Sequence, residues 1–379
     1  MTIGSRRNMS RIVSAAVVAC LITLSGGVAS RAGAQSDGLP RQLTDREFWE
    51  LIVTLSEPDG FFEDENYVSN ELGYQRSMRQ LQQQVAAGGV FVGVGPEQNF
   101  HYIAALKPSI AFIVDIRRQN AIEHLMYKAL FELAADRVDF VGKLFSRPRP
   151  PALHVDVDVA ALFQAYGSVR PDDQLFRATF EGMEQVLITR HGFPLDQKDR
   201  ASLLKVFTAF RDKGPELMYV FRGTPEAHPT YERMMTAADE SGRRWSFLAS
   251  NEGFEYVRGK QRQNLVVPVV GDFAGPKALR AIGDYVRGRN GRVGLFYLSN
   301  VEPYLFGAGQ SRQFYDNVLT MPFSDSAIFI RAFFGATTRE CGAQRPTIRT
   351  PVISSVAAVL DAHRRGALTT QCELVSLSK

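Results

Sequence analysis

Metal and redox ligands are scarce in this chain. It has three cysteines and six histidines among 379 residues, and it contains no Cys-x-x-Cys pair. Zinc sites need three or four such ligands at short spacing, so these scattered residues predict no metal site. A Walker loop, a zincin helix and a Gly-x-Ser-x-Gly turn are also absent from the sequence. The common signatures of nucleotidases, metalloproteases and α/β-hydrolases are therefore excluded.

Long apolar runs are absent after the first 34 residues, so the sequence predicts no transmembrane segment in the rest of the chain. Within residues 1–34, three arginines precede the apolar run Ile12–Leu24, and an A-x-A cleavage site ends at Ala34. This order is typical of a secretory signal peptide. We therefore expect a secreted protein, periplasmic or extracellular after cleavage near Ala34.

Two details of this leader leave its type open. Arg6-Arg7 follows Ser5 and resembles a twin-arginine signal, so the export route stays undecided between the general and the twin-arginine pathway. Val17-Val18-Ala19-Cys20 resembles a lipoprotein box. Because the apolar run continues past Cys20, soluble release is favoured over a lipid anchor.

The chain beyond the leader has no excess of either charge. The leader holds four arginines and no acidic residue, which leaves 40 basic and 40 acidic residues in the remaining chain. Nucleic-acid binding depends on a positive excess that neutralises phosphates. The expected partner is therefore a small molecule and not a nucleic acid.

Two cysteines remain after the leader, Cys341 and Cys372. In an oxidising compartment an even pair favours a disulfide, here one that ties the C-terminal tail to the body. Two buried free thiols are the alternative.

Apolar periodicity predicts an α/β fold with a mainly parallel sheet. Helical spacing covers residues 44–56, 74–86, 99–106, 121–135, 157–166, 172–189, 196–212, 230–239, 276–287 and 311–319. Strand-like apolar runs cover residues 90–94, 110–114, 265–270, 293–298 and 327–332. The predicted divisions are an N-terminal helical segment (35–88), a first sheet part (89–116), a helical insertion or cap (117–250), a second sheet part (251–335) and a tail (336–379).

A glycine loop, Gly93-Val-Gly95, follows the first predicted strand, and Asp115 ends the second strand 20 residues after Gly95. This arrangement resembles a Rossmann-type nucleotide site, in which glycines admit the cofactor and the acid accepts from ribose hydroxyls. Glu97 and Gln98 stand where such fingerprints have another glycine. Glu97 either caps the following helix or faces the site, where it would repel a pyrophosphate and favour a cationic group.

Polar turn residues follow four of the predicted strands, at the Gly93 loop, Asp115, Gly271-Asp272 and Ser299-Asn300. Ligands of open parallel sheets bind beyond the carboxyl ends of the strands, so these residues predict a binding crevice. Instead of binding a ligand, Asp115 could cap its turn or pair with Arg117 or Arg118. Those arginines could instead hold the 2′-phosphate of NADP.

Two further patterns are candidates for chemistry. His124, Tyr127, Lys128 and Glu132 share one helix face, where they could supply a general acid or base, although a structural polar network is the favoured interpretation. Ser-Asn followed by glutamate occurs at Ser69-Asn70-Glu71, Ser250-Asn251-Glu252 and Ser299-Asn300-Val-Glu302. These three turns could converge on one ligand.

Residues 88–116 and 262–334 resemble the class I S-adenosylmethionine-dependent methyltransferase fold. Gly93 and Gly95 align with its glycine loop, Asp115 with its ribose-binding acid, and Asp272 with its adenine-side Gly-Asp. The segment from Asn300 to Tyr304 is similar to its Asn-Pro-Pro-Tyr motif, with an extra residue and one proline fewer. The resemblance implies a Rossmann-like fold and S-adenosylmethionine as the first candidate cofactor. NADP is the second candidate because of Arg117 and Arg118.

The segments 93–99, 115–118, 269–276 and 296–302 also resemble an uncharacterised bacterial family, which brings no established activity with it. Three functions remain open: methyl transfer, a catalytically silent Rossmann-like binding protein, and an NADP-dependent oxidoreductase. The site residues expected for a cofactor are Gly93, Gly95, Glu97, Asp115 and Asp272. The candidates for catalysis are His124, Asn300 and Tyr304.

Overall fold

A computed structural model describes residues 38–64, 66–220, 228–333, 340–342 and 351–378. The expected leader, with its cleavage site at Ala34 and the alternative lipid attachment at Cys20, lies outside these residues. The described residues belong to one compact unit, residues 36–379. None of their helices combines the length and the apolar character needed to cross a membrane.

A six-stranded mixed sheet forms the centre of the fold. Its strands are β1 (Val90–Gly93), β2 (Ile110–Asp115), β3 (Val266–Val270), β4 (Val293–Ser299), β5 (Phe323–Arg331) and β6 (Val352–Ser355). The order across the sheet is β3-β2-β1-β4-β5-β6, with β1 to β5 parallel and β6 antiparallel to β5. This is the strand order of doubly wound nucleotide-binding folds, so the predicted Rossmann-like α/β class is confirmed.

Helices connect and surround these strands. They are α1 (Asp45–Leu55), α2 (Tyr74–Gln84), α3 (Gln98–Leu106), α4 (Arg118–Leu133), α5 (Arg137–Leu144), α6 (Val159–Gly167), α7 (Asp173–Glu184), α8 (Gln197–Lys213), α9 (Tyr231–Thr236), α10 (Asn251–Arg262), α11 (Ala278–Arg287), α12 (Val301–Gly307), α13 (Ser311–Val318), α14 (Val356–Arg364) and α15 (Gln371–Leu377). Every residue of β1, β2 and β3 is buried, as expected for strands covered on both faces.

The N-terminal helical segment closes one side of the sheet and then crosses its edge. Helix α1 begins with a capping box between Thr44 and Glu47, and its apolar face packs on β3. Beyond α1, the turn at residues 56–60 forms backbone hydrogen bonds to Val270 and Ile116, which lie at the ends of β3 and β2. The turn is therefore part of the carboxyl edge where ligands of such sheets bind.

About 150 residues separate β2 from β3, and they form the expected helical insertion. Helix α4, which the sequence placed inside the insertion, packs directly on β2 and β3 and acts as the crossover helix. Helices α7, α8 and α10 then pack against α4. The insertion is thus anchored through α4, which starts at the carboxyl end of β2.

The C-terminal tail extends the sheet. Strand β6 pairs with β5, and α14 packs on both of them. The predicted disulfide between Cys341 and Cys372 is present, with 5.1 Å between its Cα atoms. Closing a loop of this length stabilises the folded chain by about 3–4 kcal/mol in the chain-entropy treatment.

Candidate functional site

A cleft of about 360 Å³ lies at the carboxyl ends of β1 to β4. The strand order reverses here, because β2 follows on one side of β1 and β4 pairs on the other. Such a topological switch point is where doubly wound sheets bind ligands. The four strand ends contribute Val94, Gly95, Pro96, Asp115, Ile116, Arg117, Gly271, Asp272, Phe273, Ser299, Asn300 and Val301. We call this the switch-point cleft.

Other segments complete its walls, which are largely apolar and aromatic. They supply Phe62, Asn66, Val68, Ser69, Asn70, Tyr219, Tyr304, Leu305, Ala308 and Gln310, and β4 adds Tyr297. The rings of Phe62 and Tyr304 meet edge to face at 5.2 Å, and the guanidinium of Arg117 lies 5.7 Å from the Phe62 centroid. Among the described residues of the predicted insertion, Arg117 and Tyr219 line the cleft.

The two loop glycines have different roles. Gly95 lines the cleft with a φ of +75°, and a Cβ there would meet no atom within 4 Å. Gly93 is buried in β1, where a Cβ would lie 2.0 Å from Asn99 Oδ1. The Asn99 amide donates to the carbonyls of Val94, Gly95 and Pro96. Gly93 thus makes room for the side chain that fixes the loop, and only Gly95 is exposed to a ligand.

Glu97 does not line the cleft. Its side chain is completely buried, and both carboxylate oxygens accept from the backbone N–H of Ser69, at 3.2 and 3.1 Å. It makes no side-chain capping bond to α3. Burial raises the pKa of Glu97 to about 8 because the ionised form loses its hydration. Its position therefore matches neither the capping nor the crevice-facing alternative.

Asp115 lines the cleft at the end of β2 and is 8 % exposed. Its Oδ1 accepts from the backbone N–H of Arg117 at 3.0 Å and lies 3.5 Å from Arg117 Nε. Within the described residues no hydrogen bond reaches its Oδ2. Burial raises the pKa of Asp115, and the charge of Arg117 partly opposes this shift. Asp115 therefore caps its own turn and keeps one oxygen for a ligand.

The two arginines after Asp115 are held by the protein. Arg117 lines the cleft, and its Nη1 donates to the carbonyl of Asp64 at 2.5 Å. Arg118 forms two hydrogen bonds of 2.6 Å to the carboxylate of Asp199 on α8 and is not among the lining residues. The double-arginine phosphate site expected for NADP is thus reduced to Arg117.

Asp272 lines the cleft after β3. Its Oδ1 accepts from the backbone N–H of Ala274 at 2.9 Å, which shapes the turn. Gly271 permits close packing at the same turn, because a Cβ there would lie 2.2 Å from the Cβ of Ala278. Asn300 and Tyr304 also line the cleft, on the side of β4.

Acidic residues of the chain stand at three helix N-termini on this edge of the sheet, and two of them cap the helix with their side chains. Glu97 immediately precedes α3. Asp59 Oδ1 accepts from the first backbone N–H of α4 at 2.7 Å. Glu57 Oε1 accepts from the N–H groups of Lys277 and Ala278 at the start of α11, both at 2.8 Å. Glu57 and Asp59 were not predicted as site residues, because their only signal in the sequence is their place in a Glu-Pro-Asp-Gly turn after α1.

Two of the three Ser-Asn turns meet at the cleft. Ser299 Oγ donates to Glu71 Oε1 at 2.5 Å, and both Ser69 and Asn70 line the same wall as Ser299. The turn at Ser250 lies elsewhere: Ser250 caps α10, and Glu252 pairs with Lys107 at 2.7 Å. Convergence is therefore limited to the turns that precede α2 and follow β4.

His124 is buried beneath the loop and does not line the cleft. Its Nε2 lies 2.9 Å from the carbonyl of Gly95, and burial lowers its pKa to about 4. On the same helix face, Lys128 pairs with Glu132 at 2.9 Å with both side chains buried. This face is a structural network that supports the loop. No group of three metal-ligating side chains occurs in the described part of the chain.

Comparison with curated proteins gave no match. A family model described as a domain of unknown function, DUF7790, matches residues 67–347, which is more than half of the chain. The match begins near the turn that holds Ser69 and continues past β5, so it includes most of the cleft. The chain therefore belongs to the DUF7790 family.

Proposed function

We propose that the protein binds a small molecule that contains a nucleoside but no polyphosphate, in the switch-point cleft. S-adenosylmethionine is the first candidate, and methyl transfer is the corresponding reaction. The observation that carries this proposal is Asp115, which ends β2 in the cleft with Oδ2 left to accept a hydrogen bond. A carboxylate at this position is the group that receives ribose hydroxyls in doubly wound folds.

The carboxylates at the N-termini of α4 and α11 argue against a polyphosphate. Phosphates bind at helix N-termini because the free N–H groups and the helix dipole attract anions. At α4 and α11 those N–H groups already donate to Asp59 and Glu57. A dinucleotide would have to displace these carboxylates, whereas a sulfonium or an uncharged nucleoside would not.

Asn300 and Tyr304 border the β4 side of the cleft, where the resemblance to methyltransferases would put the methyl acceptor. The expected export of the protein limits the supply of a cytoplasmic cofactor, and this favours tight retention or a binding function without turnover. NADP is the second candidate, but Arg118 binds Asp199 and does not reach the cleft to hold a 2′-phosphate. The first test therefore concerns binding.

Calorimetric titration and thermal shift of the purified protein with S-adenosylmethionine, S-adenosylhomocysteine, NAD and NADP test the proposal. We expect the two S-adenosyl compounds to bind and to raise the melting temperature, because a ligand that binds only the folded state stabilises it. The Asp115→Asn variant should bind them about 10- to 100-fold more weakly, since a hydrogen bond to a charged group contributes roughly 1.5–3 kcal/mol.

Asp284→Asn is the matched control, because Asp284 is an exposed residue of α11 that pairs with Arg287. It should bind like the unmodified protein. Binding of NAD or NADP alone would contradict the phosphate-free assignment. Unchanged affinity in Asp115→Asn would refute the role of Asp115.

A further inference from the structure

The turn between β4 and α12 holds a serine in an unusual backbone conformation. Ser299 is the last residue of β4 and has a φ of 49°, and α12 begins two residues later at Val301. A residue with a Cβ in the left-handed region costs about 1–2 kcal/mol, so the surrounding structure must enforce it. Sharp strand-to-helix turns of this kind expose nucleophilic serines at the carboxyl edge of α/β sheets.

The hydroxyl of this serine donates a hydrogen bond to a carboxylate. Ser299 Oγ lies 2.5 Å from Oε1 of Glu71, whose side chain is buried while Ser299 lines the cleft. Gln98 donates its amide to the other oxygen, Oε2, at 3.2 Å and donates to Tyr102 as well. A nucleophile, a base within hydrogen-bonding distance and a third group that orients the base are the parts of an activated nucleophile.

We propose that Ser299 is a catalytic nucleophile and Glu71 its general base, and that the β4 side of the switch-point cleft transfers acyl groups from carboxylic esters to water. The inference stands on the Ser299–Glu71–Gln98 arrangement and does not rest on the nucleoside proposal. The chain lacks the glycines that flank such a serine in the Gly-x-Ser-x-Gly turn, and Ser299 itself adopts the positive φ.

The reaction balances with water as the only co-reactant. Ser299 Oγ attacks the ester carbonyl carbon while its proton passes to Glu71. The carbon–oxygen bond to the alcohol then breaks, and the alcohol leaves with that proton. Water attacks the acyl-serine, gives its proton to Glu71 and releases the carboxylic acid, after which the proton returns to Ser299.

Neighbouring lining residues suit such a substrate. Ser299 Oγ also donates to Oδ1 of Asn300 at 3.4 Å, so the Asn300 side chain lies beside the attacking oxygen. Tyr304 and Leu305 lie on the same side of the cleft and offer apolar surface to the acyl chain. The substrate class is therefore an ester with an apolar acyl group.

The ionisation state of Glu71 sets the pH dependence. Burial raises the pKa of Glu71, although its hydrogen bonds from Ser299 and Gln98 oppose the shift. The titratable side chains that face it, Tyr102 and Tyr297, have pKa values that burial raises well above the ordinary value, so both remain neutral. Only ionised Glu71 accepts the proton, so reactivity should increase as the pH rises through its pKa.

Fluorophosphonate labelling of the purified protein tests the proposal. A fluorophosphonate forms a phosphorus–oxygen bond with an activated serine and releases fluoride. We expect one adduct, located on Ser299 by tandem mass spectrometry, and hydrolysis of p-nitrophenyl acetate above the buffer rate. Glu71→Gln should slow both reactions by at least about 100-fold, the usual contribution of a general base. Ser299→Ala should abolish the adduct.

The third Ser-Asn-Glu turn provides matched controls, because Ser250 and Glu252 lie outside the cleft. Ser250→Ala and Glu252→Gln should be labelled at the unmodified rate, and circular dichroism should show that Glu71→Gln is folded. No adduct on Ser299, or an equal labelling rate in folded Glu71→Gln, would overturn the proposal. If Glu71→Gln does not fold, the labelling rate of the unmodified protein is measured from pH 4 to 9 instead. A labelling rate that does not change with pH would then overturn the proposal.

Discussion

The two glycines of the loop after β1 differ in what an added Cβ would contact. Gly95 adopts a left-handed conformation with open space around it, whereas Gly93 is enclosed by Asn99 and the ring of Phe91. At Gly95 an added Cβ would be unfavourable only because of the left-handed backbone conformation. At Gly93 it collides with the side chain that satisfies three loop carbonyls. The two substitutions should therefore differ in stability.

We predict that Gly95→Ala lowers the free energy of unfolding by about 1–2 kcal/mol, the cost of a left-handed conformation with a Cβ. Gly93→Ala should lower it by roughly 3 kcal/mol or more, because overpacking is added to the loss of buried hydrogen bonds. Urea unfolding of the two variants measures the difference. Equal losses would show that Asn99 moves aside at little cost and that it does not fix the loop.

Residue positions at strand ends were the most predictable part of the site. Gly95, Asp115, Asp272 and Asn300 were placed at the edge by the apolar runs before them, and all four line the cleft. His124 was placed on the correct helix, yet its side chain lies beneath the loop. Periodicity identifies a buried face but does not tell which turn of that face reaches a cavity.

At the scale of elements, strands β1 to β5 and most helices were predicted from the sequence, whereas α5, α10, α12, α14, α15 and β6 were not. The strand predicted at 110–114 is Ile110–Asp115, and the helix predicted at 121–135 is Arg118–Leu133. Helix α12 was not predicted, because Pro303 marks a break, although proline fits the first turn of a helix. Strand β6 was missed because its four residues are held by pairing with β5, a contact that local sequence does not reveal.

The contact between the Glu57 turn and α11 makes an element-level prediction. Glu57→Ala leaves the N–H groups of Asp272, Lys277 and Ala278 without this acceptor, so the free energy of unfolding should fall by about 1–3 kcal/mol. The vacated helix N-terminus should then accept an external anion. We expect sulfate to raise the melting temperature of the variant more than that of the unmodified protein.

Glu50→Ala is the control for this experiment, because Glu50 is exposed on α1 and pairs only with Arg46 among the described residues. It corrects for the general stabilisation of proteins by sulfate. An equal sulfate response in Glu57→Ala and Glu50→Ala would show that the vacated end of α11 does not bind anions. The cap at α11 would then not count against a polyphosphate ligand.

For the whole molecule, the carboxyl edge of the sheet collects ionisable groups whose burial links stability to pH. The pKa of Glu97 is raised to about 8, and those of His101 and His124 are lowered to about 3 and about 4. A raised carboxyl pKa makes the folded state bind more protons, so this stability is lost as the pH rises toward 8. Lowered histidine pKa values act oppositely, and their stability is lost as the pH falls below 6.5.

The effects of Glu97 and of the two histidines can be separated above pH 6.5. The histidines are neutral there in both the folded and the unfolded state, whereas Glu97 holds a proton only in the folded state. We predict that the unmodified protein loses stability between pH 6.5 and 8.5 and that Glu97→Gln loses less, because glutamine cannot ionise in the unfolded state. Urea unfolding at both pH values measures this, with Glu50→Gln as the exposed control. If Glu97→Gln and Glu50→Gln show the same pH dependence, then Glu97 is ionised in the folded protein, and its two contacts with the Ser69 N–H suffice to hold the charge in the interior.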